Sequence, residues 1–154
     1  DKAIAACKGQ SAKLRSEAIG WMTFNMAKVG ETRGVMNSLF MVGDLKKNLN
    51  EAIALNPNNS YARETLGTIL HALPGIAGGS DKKAIAHFEE VLRREPGFGS
   101  TMCCLGNLYL DIGKKDEAKQ WFEKVLAIDK PALKTDHWKF DKPCAKRGLK
   151  KLAK

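Results

Sequence analysis

Apolar residues return along this chain at intervals of three and four, the mark of helices with one buried face. Ala84, Phe88 and Val91 stand at intervals of four and seven, and Ala118, Phe122 and Val125 repeat the spacing. Leu45, Leu49 and Ala52 carry an earlier copy, with Pro57 twelve places on, as Pro96 follows Ala84. Ahead of the second and third copies lie Leu66-Gly67 and Leu105-Gly106. A glycine there suits a close crossing of two backbones, and the small alanine of the following helix faces that crossing. Each unit thus reads as helix, turn and helix, closed by a proline. Ser80 or Asp81 is expected to cap the second helix of the middle unit, and Asp116 that of the last. Asn56-Pro57-Asn58-Asn59 and Glu95-Pro96-Gly97 are stops.

Outside the repeated segments the pattern predicts a long amphipathic helix over residues 2–29, interrupted at most by Gly9 or Gly20. It predicts a terminal helix over about 141–154, with Pro143 accommodated in the first turn. The apolar positions of that last helix, Cys144, Ala145, Leu149, Leu152 and Ala153, are sparse, as suits a cap on the open end of a stack. Between them, Leu73-Pro74-Gly75-Ile76-Ala77-Gly78-Gly79-Ser80 cannot continue a regular helix. It is expected to break the first helix of the middle unit and lengthen the turn after it. Loops on rigid scaffolds often carry binding, so Pro74, Gly78 and Gly79 are candidate site residues, against the plainer reading of a tolerated spacer.

The segment from Leu105-Gly106 through Tyr109, Gly113, Ala118, Phe122 and Val125 to Pro131 resembles the tetratricopeptide repeat, a helix–turn–helix unit of about 34 residues. Residues 60–96 resemble it with an insertion, since 17 places rather than 12 separate Gly67 from Ala84, and residues 12–57 mainly in their second half. The resemblance implies an all-α, right-handed superhelical array of about three helical hairpins (12–57, 60–96 and 100–131) with a C-terminal capping helix, in one domain spanning 1–154. It implies a scaffold rather than a chemistry. The Pro, Gly-Gly and acidic residue leading into the middle unit's second helix also look like the tetratricopeptide component of bacterial tripartite (TRAP-type) uptake systems. That family comprises periplasmic lipoproteins that partner a solute-binding protein.

Composition agrees with a packed domain: 154 residues, 44% hydrophobic and 28% charged, long enough to bury a core without metal or disulfide staples. No apolar run approaches a membrane span. The net charge is +9, and the last 24 residues hold eight Lys and Arg against two Asp, hence +6 of it. Such a tail can meet nucleic acid, anionic lipid or an acidic protein patch, or be the solvated face of a terminal helix, which is the preferred reading. The absence of a nucleic-acid motif, and only Trp138 and Phe140 to stack bases, disfavour nucleic acid. The four cysteines, Cys7, Cys103, Cys104 and Cys144, have no CxxC or Cys/His zinc spacing and leave the redox compartment open between periplasm and cytoplasm. His71, His87 and His137 form no catalytic or metal motif, and no phosphate-cradling or nucleophile-elbow sequence occurs. The chain is therefore read as non-enzymatic, without a cofactor.

The tetratricopeptide resemblance implies a concave groove lined by the first helix of each repeat, at its second, fifth, ninth and twelfth places. In the middle repeat these are Tyr61, Glu64, Thr68 and His71; in the next, Ser100, Cys103, Asn107 and Leu110. With Gly20 in the glycine place, Glu17, Trp21 and Phe24 join them, although for Trp21 and Phe24 packing between helices is the preferred reading. Asn107 can both donate to and accept from an extended peptide backbone. The groove has no Lys/Arg cluster to clamp a C-terminal carboxylate. The expected partner is a protein or peptide, with an accessory role in a solute-uptake or envelope complex as the alternative; self-association through an open array end suits either.

Overall fold

The computed structural model describes residues 11–33 and 35–153, and they are helical almost throughout. The helices are α1 (Ala12–Arg33), α2 (Val35–Leu55), α3 (Ser60–Ala72), α4 (Asp81–Arg94), α5 (Gly99–Asp111), α6 (Lys115–Leu126), a single turn α7 (Lys134–Asp136) and α8 (Lys142–Leu152). A 3₁₀ turn (Gly75–Ala77) follows α3, and a π-helical turn (His137–Asp141) joins α7 to α8. The all-α fold of helices paired as hairpins is the expected one. The contacts divide the chain into two compact units, Asp1–Gly79 and Ser80–Lys154.

In the first unit, α1 and α2 form a long antiparallel hairpin on which α3 packs. Ile19, Leu45, Leu49, Ala52, Ala62, Leu66 and Leu70 are its buried apolar residues. Leu45, Leu49 and Ala52 are thus buried at the spacing that marked the repeat. The hairpin is tied by Ser16, whose Oγ donates to the Ala52 carbonyl at 2.7 Å. Asn59 ties α3 to α1: its side-chain oxygen accepts from the Ala62 N–H at 2.9 Å as the N-cap of α3, and its amide donates to Ser16 O and Oγ at 3.1 and 2.9 Å. The part of the long helix expected over residues 2–10, and Cys7 with it, lies outside the described residues.

The insertion does not break α3. That helix runs for 13 residues, the same length as α5, and the extra residues lengthen only the turn that follows. Pro74 starts the 3₁₀ turn, and Gly78 closes it at φ 80°, a left-handed conformation that costs glycine nothing. A Cβ at Gly79 would overlap the Leu73 carbonyl.

In the second unit, α5 and α6 form the hairpin, α4 packs on α5, and α8 lies across α5 and α6. Ala84, Phe88 and Val91 of α4, Leu105 and Leu108 of α5, and Ala118, Phe122 and Val125 of α6 are buried. Gly106 does make a close approach, but to a ring instead of the expected second backbone: a Cβ there would lie 2.5 Å from the Phe122 ring. Ser80, rather than Asp81, caps α4, accepting from the Lys83 N–H at 3.3 Å. Asp116 is not a cap. It lies inside the first turn of α6, where its charge still favours the helix N-terminus.

Candidate functional site

The sequence-derived groove positions fall on both units. On the first, Tyr61, Glu64, Thr68 and His71 share one side of α3, at the three-, four- and three-residue steps of a single helix face. Tyr61 and Thr68 are exposed, Glu64 and His71 half-buried. The Thr68 hydroxyl donates to the Glu64 carbonyl at 3.0 Å, turning it along its own helix. Trp21 and Phe24 lie one turn apart on α1. Contrary to the expectation of packing between helices, both stand open: Trp21 is 53% exposed, Phe24 39% and Tyr61 36%.

The three rings nevertheless touch. Trp21 and Tyr61 lie 5.2 Å apart between centroids at 36°, and Trp21 meets Phe24 edge-on at 6.1 Å and 85°. Such pairs hold each other's orientation while leaving apolar area to solvent. Beneath them Gly20 faces α3: a Cβ there would meet the Asn59 amide at 3.3 Å and Ala62 at 3.8 Å. The glycine is therefore part of what lets α1 approach α3 closely enough for its rings to reach Tyr61.

The Gly-rich turn is anchored in the same unit. Lys46 of α2 reaches across to donate to the Gly78 carbonyl at 3.3 Å. Pro74 and Gly78 are exposed, Gly79 is half-buried, and Ile76 projects wholly into solvent.

On the second unit the groove positions meet the C-terminal segment instead of open space. Cys103 is buried, its thiol 3.3 Å from the Asp141 carbonyl as donor. The Asn107 amide points at the Cys144 sulfur, 3.7 Å away. Cys103 and Asn107 are thus engaged by the π turn and α8, and a partner reaching them must displace that segment. Ser100 and Leu110 are half-buried. The Cys144 thiol is drawn down to about 7 by the neighbouring Cys103 thiol, the Asn107 amide and the Arg147 charge, against its own burial. Cys103 is pushed up by the neighbouring Cys144 and by its own burial.

Two buried features escaped the sequence reading. His137 and Asp141 are both buried, Nδ1 to Oδ2 at 3.5 Å, and neither ring nitrogen of His137 has a hydrogen-bond partner among the described residues. Burial pushes the Asp141 carboxyl up, with the His137 charge opposing it. The four-residue spacing of the pair was the available signal, and the polar run around it masked the burial. The second is Gly148, whose Cβ would strike the same Phe122 ring that Gly106 meets. A lone glycine in a lysine-rich helix was its only trace.

With this geometry in view, the α5–α6 hairpin can be compared with known proteins. Residues 100–131 match the tetratricopeptide repeat. The match covers the hairpin in which Gly106 approaches the Phe122 ring, and such a repeat suggests a protein-interaction role. The chain is also 23% identical over 145 residues to regulator of microtubule dynamics protein 3 from Bos taurus, an alignment taking in 82% of this chain. It spans 30% of the length of that relative. No described helix is long and apolar enough to cross a membrane.

Proposed function

We propose that this chain is a non-enzymatic adaptor whose first unit holds a peptide or partner protein against Trp21, Phe24 and Tyr61, with Glu64, Thr68 and His71 reading the segment that runs on along α3. The observation that carries the reading is the tilted contact of Trp21 with Tyr61 at 5.2 Å with both rings still exposed. Rings already fixed by one another lose little freedom on binding, which is why aromatic anchors dominate interfaces. The tetratricopeptide match supports a protein as the ligand.

The name of the bovine relative makes a microtubule-associated partner the first to try. The test is co-sedimentation with stabilised microtubules, with affinity capture and mass spectrometry beside it, comparing the native chain with a Trp21→Ala/Tyr61→Ala double variant. Both positions are exposed, so the variant keeps its fold. Loss of a defined partner in the variant supports the adaptor reading; equal capture by both chains overturns the aromatic site.

A further inference from the structure

The C-terminal segment carries a second surface that the adaptor reading does not use. Its two acids are turned away from the open side: Asp141 is buried against His137, and Asp136 is half-buried beside a small cleft with Phe98 and Leu133. What remains outside is cationic, with Lys146, Arg147 and Lys150 exposed. Two aromatic rings stand in the same segment almost bare, Trp138 at 67% and Phe140 at 63% exposure. Among the described residues no carboxylate lies within ion-pair distance of Lys142, Lys146 or Lys150.

These groups form a line. Trp138, Lys142, Lys146 and Lys150 follow one another at steps of four through the π turn and α8. The first step is seen directly, the Lys142 ammonium lying 3.8 Å from the centre of the Trp138 ring. On a helix each such step advances about 6 Å. An extended polypeptide advances about 6.6 Å over two residues, with both side chains on one side. Three lysines therefore stay in step with carboxylates at alternate positions of an extended chain, within the reach of their flexible stems.

We propose that the row Trp138–Lys142–Lys146–Lys150 is a docking track for an extended acidic segment of a partner protein, with carboxylates at alternate positions and an apolar residue against Trp138. The site is separate from the aromatic face of the first unit. A polypeptide fits better than a nucleic acid because bases stack on successive rings, whereas beyond Trp138 the row continues as lysines alone. It fits better than a bilayer because the charges run as one row rather than spreading over a plane.

The experiment is fluorescence anisotropy with a fluorescein-labelled decapeptide that begins with Phe and carries Glu at alternate positions, titrated with the full chain at low salt. Binding is expected to weaken at least tenfold in Lys146→Glu/Lys150→Glu and several-fold in Trp138→Ala, and to fall with added salt as exposed charge pairs do. The milder Lys146→Gln/Lys150→Gln variant, with a melting curve, separates loss of binding from loss of fold. Unchanged affinity in the charge variants overturns the proposal. So does tighter binding of a single-stranded oligonucleotide of equal charge, or of phosphatidylserine vesicles, and so does failure of the native chain to bind the peptide at all.

Discussion

Phe122 is clasped between two glycines, Gly106 of its own hairpin and Gly148 of α8, and a Cβ at either would meet the ring. Gly106→Leu is therefore expected to destabilise by about 1–3 kcal/mol through overpacking. Gly148→Ala sets two effects against each other. Helix propensity alone would raise stability by about 1 kcal/mol, whereas the overlap with Phe122 predicts a fall. A lowered denaturation midpoint supports the clasp, and a raised one shows that α8 moves aside freely. Only the first of these glycines was legible beforehand, because Gly106 recurs in register with Gly67 while Gly148 belongs to no repeated pattern. The cysteines divide in the same way. Cys103 and Cys144 are 41 places apart, and only folding makes the two thiols neighbours that shift each other's titration. Because the Cys144 thiol sits near 7, its alkylation by iodoacetamide should climb steeply between about pH 6 and 8. Cys103, buried and pushed up, should stay unmodified in the same mass-spectrometric time course.

At the level of the helices, starts and stops are decided by single side chains. Ser80 and Asn59 cap because their oxygens reach the N–H groups of Lys83 and Ala62. Asn59 also supports the Ser16 contact between helices, so Asn59→Ala should cost about 1–3 kcal/mol, more than an ordinary cap. A stop at this stretch was readable in the sequence, but the bonds to Ser16, 43 places earlier, were not. Near the end of α4, Glu90 accepts from Arg93 Nε and Nη2 at 2.9 Å each and from Arg94 Nε at 2.6 Å. These bonds hold its carboxyl down at about 2, against an ordinary 4.5. A lowered folded-state value adds stability above about pH 4.5 that is lost as the pH falls towards 2. Glu90→Gln should lower the melting temperature at pH 7 and converge on the native chain as the pH falls towards 2; the same slope in both chains would show that the cluster does not contribute.

For the whole molecule, the C-terminal segment is structural as well as charged. Ala145 lies in the same buried cluster as Met102, Cys103 and Phe122, with Leu149 and Leu152 packed against it. Ending the chain after Asp141 should therefore lower the stability of the second unit by about 3 kcal/mol or more, the burial value of two aliphatic side chains. An unchanged urea midpoint would contradict that packing. The sequence by itself determined that the chain is a set of helical hairpins, because apolar spacing at four and seven, the Leu-Gly pairs and the closing prolines are local features that hold whatever the helices meet. It also marked the Gly-rich turn and the concentration of charge in the last residues. Which faces stay open was decided only by the tertiary structure. Trp21 and Phe24 read as packing residues by hydrophobicity but stand exposed beside Tyr61. Asn107 and Cys103 read as groove residues by position but lie under α8, and His137, in a polar run, is buried. Exposure depends on what another helix covers, and for Cys103 and Asn107 residues 37 or more places away supply that cover.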